Sequence, residues 1–188
     1  MLRPSLAHLW IFLPLIGGYV AHAPVLRFDL FHALKRPLDG GAMFRGRRIF
    51  GDNKTWRGAL TMFAGVLVAT LALWRGSGYG RRLPDAIQSA GPLTFGVLLA
   101  LGFVLGELPN SFLKRQLDIA PGARRTSPVG VLLALFDQAD FVLGEWLLLA
   151  PIWRMSWVQA LVAFAVVVVA HLCVNAIGFA IGARSSYL

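Results

Sequence analysis

The sequence predicts an all-α integral membrane protein, a bundle of about five transmembrane helices, and three observations carry that prediction. The first is composition. The 188 residues are 57% hydrophobic and only 14% charged, with a mean hydropathy of +0.66. A soluble domain carries about 25% charged residues, and a chain this short cannot bury so much hydrocarbon in one core. The second is a set of five apolar stretches, roughly 6–26, 59–74, 92–113, 131–153 and 157–181, set against the ~20 residues that a spanning helix needs. The third is the placement of charge between them.

The stretch 6–26 ends in Ala21-His22-Ala23 after an early Arg3, which imitates a cleavable secretory signal. Cleavage would leave the basic segment 27–58 on the outer face, so the stretch is expected to be a retained helix. The stretch 59–74 is short for a span, and 131–153 contains acids, so these two are the least regular. Gly102/Gly106 and Gly178/Gly182 match the G-x-x-x-G pattern of close helix packing, which permits a homodimer without requiring one. His171 and Asn175, four residues apart in the last stretch, share a helix face suited to an interhelical hydrogen bond. No internal repeat or low-complexity segment divides the chain, so residues 1–188 are expected to form a single domain.

Lys and Arg number 18 against nine acids, for a formal charge of +9. With five spans, segments 27–58 and 114–130 and the C-terminus share one side and hold thirteen of the basic residues. The other side holds Arg3, Arg75, Arg81, Arg82 and Arg154. The positive-inside rule then places the N-terminus outside and the C-terminus in the cytoplasm of a multi-pass protein of the cell membrane. The cations lie between apolar runs and not on a soluble face, which argues against nucleic acid as the partner. The single cysteine, Cys173, excludes an intramolecular disulfide and a thiolate metal cluster.

Four acids fall inside apolar stretches: Glu107, Asp137, Asp140 and Glu145. An acid at the bilayer centre costs roughly 2.5–3.5 kcal/mol on insertion scales, so such residues face protein or water and are candidate functional groups. Asp137 and Asp140, three apart, are expected on one helix face. Glu107, Asn110, Ser111 and Lys114 follow i, i+3, i+4, i+7 spacing and line one stripe of the preceding helix. Helical rise places Glu107 and Asp137 at similar depth, about 9 Å inside their helix ends. Carboxylates from two helices beneath basic loops suit a hard cation such as Mg²⁺ that also binds phosphate oxygens, with Glu107, Asp137 and Asp140 as candidate ligands. His8, His22 and His32 are dispersed and offer no softer site. Glu145, beside Trp146, has no evident partner.

The segment Gly51-Asp52-Asn53-Lys54-Thr55-Trp56-Arg57-Gly58 follows Arg45-Gly46-Arg47-Arg48 and ends where the second span begins. Glycines admit an anion to backbone N–H groups, Lys54 and Arg57 supply charge-assisted bonds, and a helix N-terminus adds a favourable dipole. This reads as a phosphate-binding loop, although neither the Walker A pattern nor the dinucleotide fingerprint is present. Lys35 and Arg36 are adequately explained by attraction to anionic lipid.

These segments, together with Gly106-Glu107-Leu108-Pro109-Asn110-Ser111-Phe112-Leu113-Lys114-Arg115 and Phe136-Asp137-Gln138-Ala139-Asp140-Phe141, resemble in order and spacing the CDP-archaeol synthase family, small five-helix relatives of phosphatidate cytidylyltransferases. The resemblance covers nearly the whole chain, including Asp39, His171 and Asn175. It implies a Mg²⁺-dependent cytidylyltransferase in which a lipid phosphate attacks the α-phosphorus of CTP, giving a CDP-activated lipid and pyrophosphate. By position it implies that Asp52, Asn53, Lys54, Thr55, Trp56, Arg57 and Asn110 hold the substrates. Ser111, Lys114 and Arg115, with Lys54 and Arg57, would grip the reacting phosphates, and Asp137 and Asp140 would bind Mg²⁺. Glu107 stands where the wider family usually has aspartate. The His-Gly-Gly and Asp-Arg-x-Asp segment of the larger phosphatidate enzymes is missing. The alternatives are a CTP-dependent polyprenol kinase, built on similar residues, and a small ion-coupled transporter or lipid-binding protein. The D-x-x-D-G-x-x-A-R series of CDP-alcohol phosphotransferases is absent.

Overall fold

The computed structural model describes residues 6–120, 128–137 and 139–180. Arg124, Arg125, Gln138 and Gly182, the side chains of His171 and Asn175, and the surroundings of Gly178 lie outside what is described. The described chain is mostly helical, with one small hairpin inside an irregular segment. Its helices are α1 (Leu15–Arg27), α2 (Trp56–Gly76), α3 (Asp85–Gln116), α4 (Pro128–Phe136), α5 (Asp140–Leu148) and α6 (Trp157–Ala180). A 3₁₀ segment, Leu6–Phe12, precedes α1, and another, Tyr79–Arg82, joins α2 to α3. Among the described residues, three helical segments are long and apolar enough to cross a membrane: His8–Arg27, Trp56–Gly76 and Asp85–Gln116. The all-α membrane architecture read from composition is the observed one.

α2 begins three residues before the apolar stretch does. Thr55 is its N-cap, in extended backbone, and its hydroxyl accepts a hydrogen bond from the Gly58 N–H at 3.2 Å, which satisfies one orphan donor of the first turn. The residues read as a phosphate loop therefore run into a helix N-terminus. α3 bends at Gly91 (φ 79°, ψ 166°). The following Pro92 disfavours helical backbone at the residue before it, and only glycine adopts this conformation without strain. Pro109, within α3, cannot donate to the carbonyl four residues back, so the ladder lacks its bond to the Leu105 carbonyl.

The helices pack in the chain α1–α2–α3–α5, with α6 against α5. Bare backbone makes the two tightest crossings. A Cβ on Gly65 of α2 would sit 2.7 Å from Ala21 Cβ of α1. A Cβ on Gly106 of α3 would sit 2.7 Å from Phe141 Cα of α5, with Gly144 facing it. The Gly102/Gly106 pair therefore works within the chain, against α5. The Ala21-His22-Ala23 stretch lies inside α1. Phe103 joins three helices, edge-on to Tyr19 of α1 (5.4 Å) and to Phe141 of α5 (5.3 Å).

The connections collect at two ends of the bundle. At one end the Tyr79 hydroxyl donates to the Trp10 carbonyl at 2.9 Å, and His8 stacks on Trp153. At the other end segment 28–55 meets the end of α3. Here β1 (Met43–Phe44) pairs antiparallel with β2 (Arg47–Arg48) through Arg45 and Gly46, both at positive φ (52° and 77°), as a tight primed hairpin turn requires. The hairpin holds Arg47 against Asp118 at 2.6 Å, and the Gln116 amide donates to the Arg48 carbonyl at 3.3 Å.

The apolar stretch 131–153 is not one helix. α4 ends at Phe136 and α5 begins at Asp140, with Ala139 between them at φ −149°, ψ 22°. Asp137 and Asp140 accordingly do not share a face of a continuous helix, which corrects the spacing argument. Neither proline nor glycine marks the break. Side chains of α3 fix it by holding the two carboxyls that flank it.

Candidate active site at the broken helix

Asn110 of α3, buried, points its amide into the α4–α5 break. Its Nδ2 donates to Asp137 Oδ1 at 2.7 Å and to Asp140 Oδ2 at 3.3 Å. One turn further along α3, the Lys114 ammonium is hydrogen-bonded to Asp137 Oδ2. One turn the other way, Glu107 Oε2 takes the Lys54 ammonium that arrives from the loop before α2. The stripe read from i, i+3, i+7 spacing on α3 is thus intact, with two acids of the broken helix and one loop lysine gathered along it. The break changes how Asp137 and Asp140 converge but not that they do. Non-helical backbone at this depth is tolerated where it is enclosed by protein or lines a polar cavity.

Among the described residues, no three carboxylate, imidazole or thiolate groups gather as a ready-made metal cage. Asp137 and Asp140 share Asn110, whereas Glu107 is engaged with Lys54. The donor chemistry nevertheless fits a hard cation. Asn110 Oδ1 is buried without a hydrogen-bond partner among the described residues, and it sits on the amide that holds both carboxyls. Two carboxylates and an orphaned amide oxygen form an all-oxygen set of the kind Mg²⁺ takes together with phosphate oxygens and water. Asp137, Asp140 and Asn110 are the residues that would hold it. Glu107 stands one turn away behind Lys54.

The other candidates divide into two groups. Asn53, Lys54 and Thr55 line a cavity of about 110 Å³ together with Glu107. Trp56 is exposed. The Arg115 side chain lies against Gly51, where a Cβ would be 3.3 Å from Arg115 Cδ, and its Nε is buried without a hydrogen-bond partner among the described residues. Ser111 donates its hydroxyl to the Glu107 carbonyl at 3.0 Å, one turn back on its own helix. Asp52 is exposed and bound to Arg48 at 2.7 Å. Arg57 turns inward and pairs with Asp29, away from the loop surface.

The loop is braced from Asp39. Its Oδ2 accepts the N–H groups of Phe50 (2.9 Å) and Gly51 (3.1 Å), and its Oδ1 accepts Gly41 N–H (3.0 Å) and the Arg48 guanidinium (2.8 Å). Burial would raise the Asp39 carboxyl, but the Arg48 bond and three backbone donors outweigh it and hold it well below the usual carboxylate range. Arg48 in turn is held above its ordinary value by its bonds to Asp39 and Asp52.

Sequence reading missed three participants. Asp29, partner of Arg57, looked like an ordinary loop acid. Arg48 looked like surface charge. His22 was one of several scattered histidines, yet it lines the same cavity as Lys54 and Glu107. Only its position in the middle of an apolar stretch set it apart.

Comparison with known proteins agrees with this architecture. Residues 1–187 match the family model described as CarS-like, CDP-archaeol synthase. The chain is 33% identical over 162 residues to the CDP-archaeol synthase of Methanosarcina barkeri, covering 79% of this chain and 88% of that one. It is 38% identical over 157 residues to that of Methanoculleus marisnigri, covering 79% and 87%. It is 31% identical over 180 residues to that of Thermococcus onnurineus, covering 94% and 95%. A solved structure described as an intramembrane enzyme for archaeal membrane lipids biosynthesis superposes with a TM-score of 0.61 at 28% identity, over 88% of this chain and 90% of that one. A buried polar stripe at a broken helix, a braced basic loop above it and a family match from end to end have one common reading: this chain belongs to the CDP-archaeol synthase family.

Proposed function

We propose that this membrane enzyme transfers CMP from CTP to the phosphate of a glycerol-based membrane lipid, releasing pyrophosphate. The observation that carries the proposal is the paired arrangement of charges along α3. Lys54 neutralises Glu107 and Lys114 neutralises Asp137, while Asn110 ties Asp137 to Asp140. A metal nucleotide brings a cation for the carboxylates and phosphates for the lysines. It can therefore replace both halves of each ion pair without leaving a charge unpaired in a low-dielectric site.

Attack of a lipid-phosphate oxygen at the α-phosphorus, with departure of pyrophosphate, asks mainly for positioning and charge neutralisation. Lys54, Lys114 and Arg115 hold the triphosphate and the leaving group. Asn110 keeps Asp137 and Asp140 in register, and Gly51 allows Arg115 to lie close to the loop backbone. Mg²⁺, when bound by Asp137, Asp140 and Asn110, would spread the charge of the phosphate oxygens.

The chain is read as five passes, with the α4–α5 pair as the fourth, and the end bearing segment 28–55 faces the cytoplasm of the cell membrane. Most of the basic residues lie at this end, which agrees with that sidedness.

The test is turnover of radiolabelled CTP by purified protein in detergent with Mg²⁺. The acceptors are phosphatidate, an isoprenoid ether glycerol phosphate and a polyprenol. Pyrophosphate and a CDP-lipid are expected with one of the glycerol phosphates. Release of CDP with polyprenol would make the protein a kinase. Absence of turnover with every acceptor would support a transport or binding role.

A further inference from the structure

The cavity of about 110 Å³ between α1, α2 and α3 is smaller than the sites of roughly 300–1,000 Å³ that enclose a whole drug-sized ligand. It can take a head group and little more. Asn53, Lys54, Thr55, His22 and Glu107 give it a polar side, and Met62, Phe103, Val104 and Leu108 an apolar one. This two-sided lining matches the junction between a phosphate and the first carbons of a lipid.

His22 is oriented for a particular kind of oxygen. Its Nδ1 lies 2.6 Å from Thr61 Oγ1. The Thr61 hydroxyl has one proton, and that proton is directed to the carbonyls of Arg57 (2.8 Å) and Gly58 (3.2 Å). With its proton on a helix carbonyl, Thr61 Oγ1 is placed to accept from Nδ1–H, and in that arrangement the Nε2 lone pair is the ring's remaining polar group. Cε1, between the two nitrogens, lies 3.8 Å from where a Gly58 Cβ would stand, beside the Thr55 cap. An acceptor nitrogen in a cavity that Lys54 also lines suits an anion that still carries a proton. A terminal phosphate monoester, with a second pKa of about 6, is such a group near neutral pH. The α- and β-phosphates of a nucleoside triphosphate carry no such proton, and the apolar residues of the lining favour a lipid over the nucleotide's terminal phosphate.

We infer that this cavity is the acceptor subsite for the lipid's phosphate monoester. His22 Nε2 accepts a hydrogen bond from its protonated oxygen, and Thr61 holds the imidazole in that tautomer. The inference rests on the cytidylyl-transfer reading for its context and on the His22–Thr61 geometry for its content. His22 binds the acceptor lipid.

The experiment uses the full chain in detergent, with His22→Leu, His22→Asn and Thr61→Val compared with wild type after their melting temperatures have been matched. His22→Leu is expected to raise KM for the lipid phosphate about tenfold, the size of one hydrogen bond to a charged partner, and to leave KM for CTP within about twofold. His22→Asn should recover part of the loss, and Thr61→Val should show a smaller rise in the same constant. In the absence of CTP, decyl phosphate should raise the melting temperature of wild type and not that of His22→Leu, while decanol should shift neither. A rise in KM for CTP alone, or a changed preference between CTP and dCTP, would place His22 on the nucleotide and overturn the inference. Unchanged constants would overturn it equally. If decyl phosphate binds through His22 but no acceptor supports CTP turnover, the subsite stands and the cytidylyl-transfer reading fails.

Discussion

Arg57, in the first turn of α2 and only 6% exposed, is ion-paired to Asp29, which follows α1 with its backbone in the left-handed region at φ 46°. Asp29 is half-exposed, and the Arg57 hydrogen bond holds its carboxyl below the usual range. Arg57 also reaches the Leu30 carbonyl at 3.3 Å, so one guanidinium fastens the end of α1 to the start of α2. The two partners are not equivalent. Removing the acid leaves a buried cation without a counter-charge, whereas removing the arginine leaves an acid that water can solvate. Asp29→Ala should therefore lower the melting temperature more than Arg57→Met does. A double-mutant cycle should give a clear coupling between the two. Equal or negligible shifts would mean that Arg57 is not structural and is free for nucleotide.

The Asp39 brace makes a prediction about acid. Its carboxyl is held well below the ~3.9 of an unfolded aspartate. A depressed carboxyl contributes stability that is fully present above the unfolded value and is lost as pH falls through it toward the folded one. The loop should therefore stay protease-resistant at neutral pH and become sensitive below about pH 4. Asp39→Asn should make it sensitive at pH 7, because Arg48 and all three backbone donors lose a charged acceptor. Limited proteolysis of segment 39–54 at pH 7 and at about pH 2 reads this directly.

These residues show what the sequence could disclose. The membrane class was legible because it depends on composition, and the α3 stripe because it depends on local periodicity: Glu107, Asn110 and Lys114 share a face in any helix. The break after Phe136 was not, since no proline or glycine announces it. Asn110 and Lys114, more than twenty residues earlier in the chain, hold Asp137 and Asp140 there. The loop at 51–58 was legible through its glycines and cations, but its brace at Asp39 depends on a hairpin that folds back from residue 48. Arg57 read as a phosphate ligand, and its inward turn to Asp29 was not legible because sequence gives charge and not direction.

Asn110 offers the sharpest test of the site. Asn110→Ala removes the amide that ties Asp137 to Asp140 and also the orphaned oxygen, and should lower kcat by about 10²-fold or more, the scale seen when a positioning contact is lost. Asp140→Asn should do at least as much. Asn110→Asp adds a carboxylate to a pair already close together, and should shift the Mg²⁺ concentration for half-maximal turnover while leaving KM for lipid phosphate little changed. EDTA should abolish turnover in wild type and excess Mg²⁺ should restore it. Turnover that persists in EDTA would remove the metal from the proposal.

Glu145 provides a stability test independent of the chemistry. It lies on α5 with 0% exposure, both carboxyl oxygens lack a hydrogen-bond partner among the described residues, and Oε2 would be only 2.8 Å from a Cβ on Gly102. The carboxyl therefore rests against bare α3 backbone, where an unsatisfied polar group costs about 1–3 kcal/mol. Glu145→Met keeps the length and flexibility of the side chain and removes the orphaned oxygens. It should raise stability by on the order of 1–2 kcal/mol, with kcat within about twofold of wild type. Glu145→Gln keeps a polar group in the same place and should gain much less. Thermal unfolding in detergent distinguishes the two substitutions. A Glu145→Met protein that melts normally but has lost turnover would show that this carboxyl takes part in the reaction and is not a cost carried by the bundle.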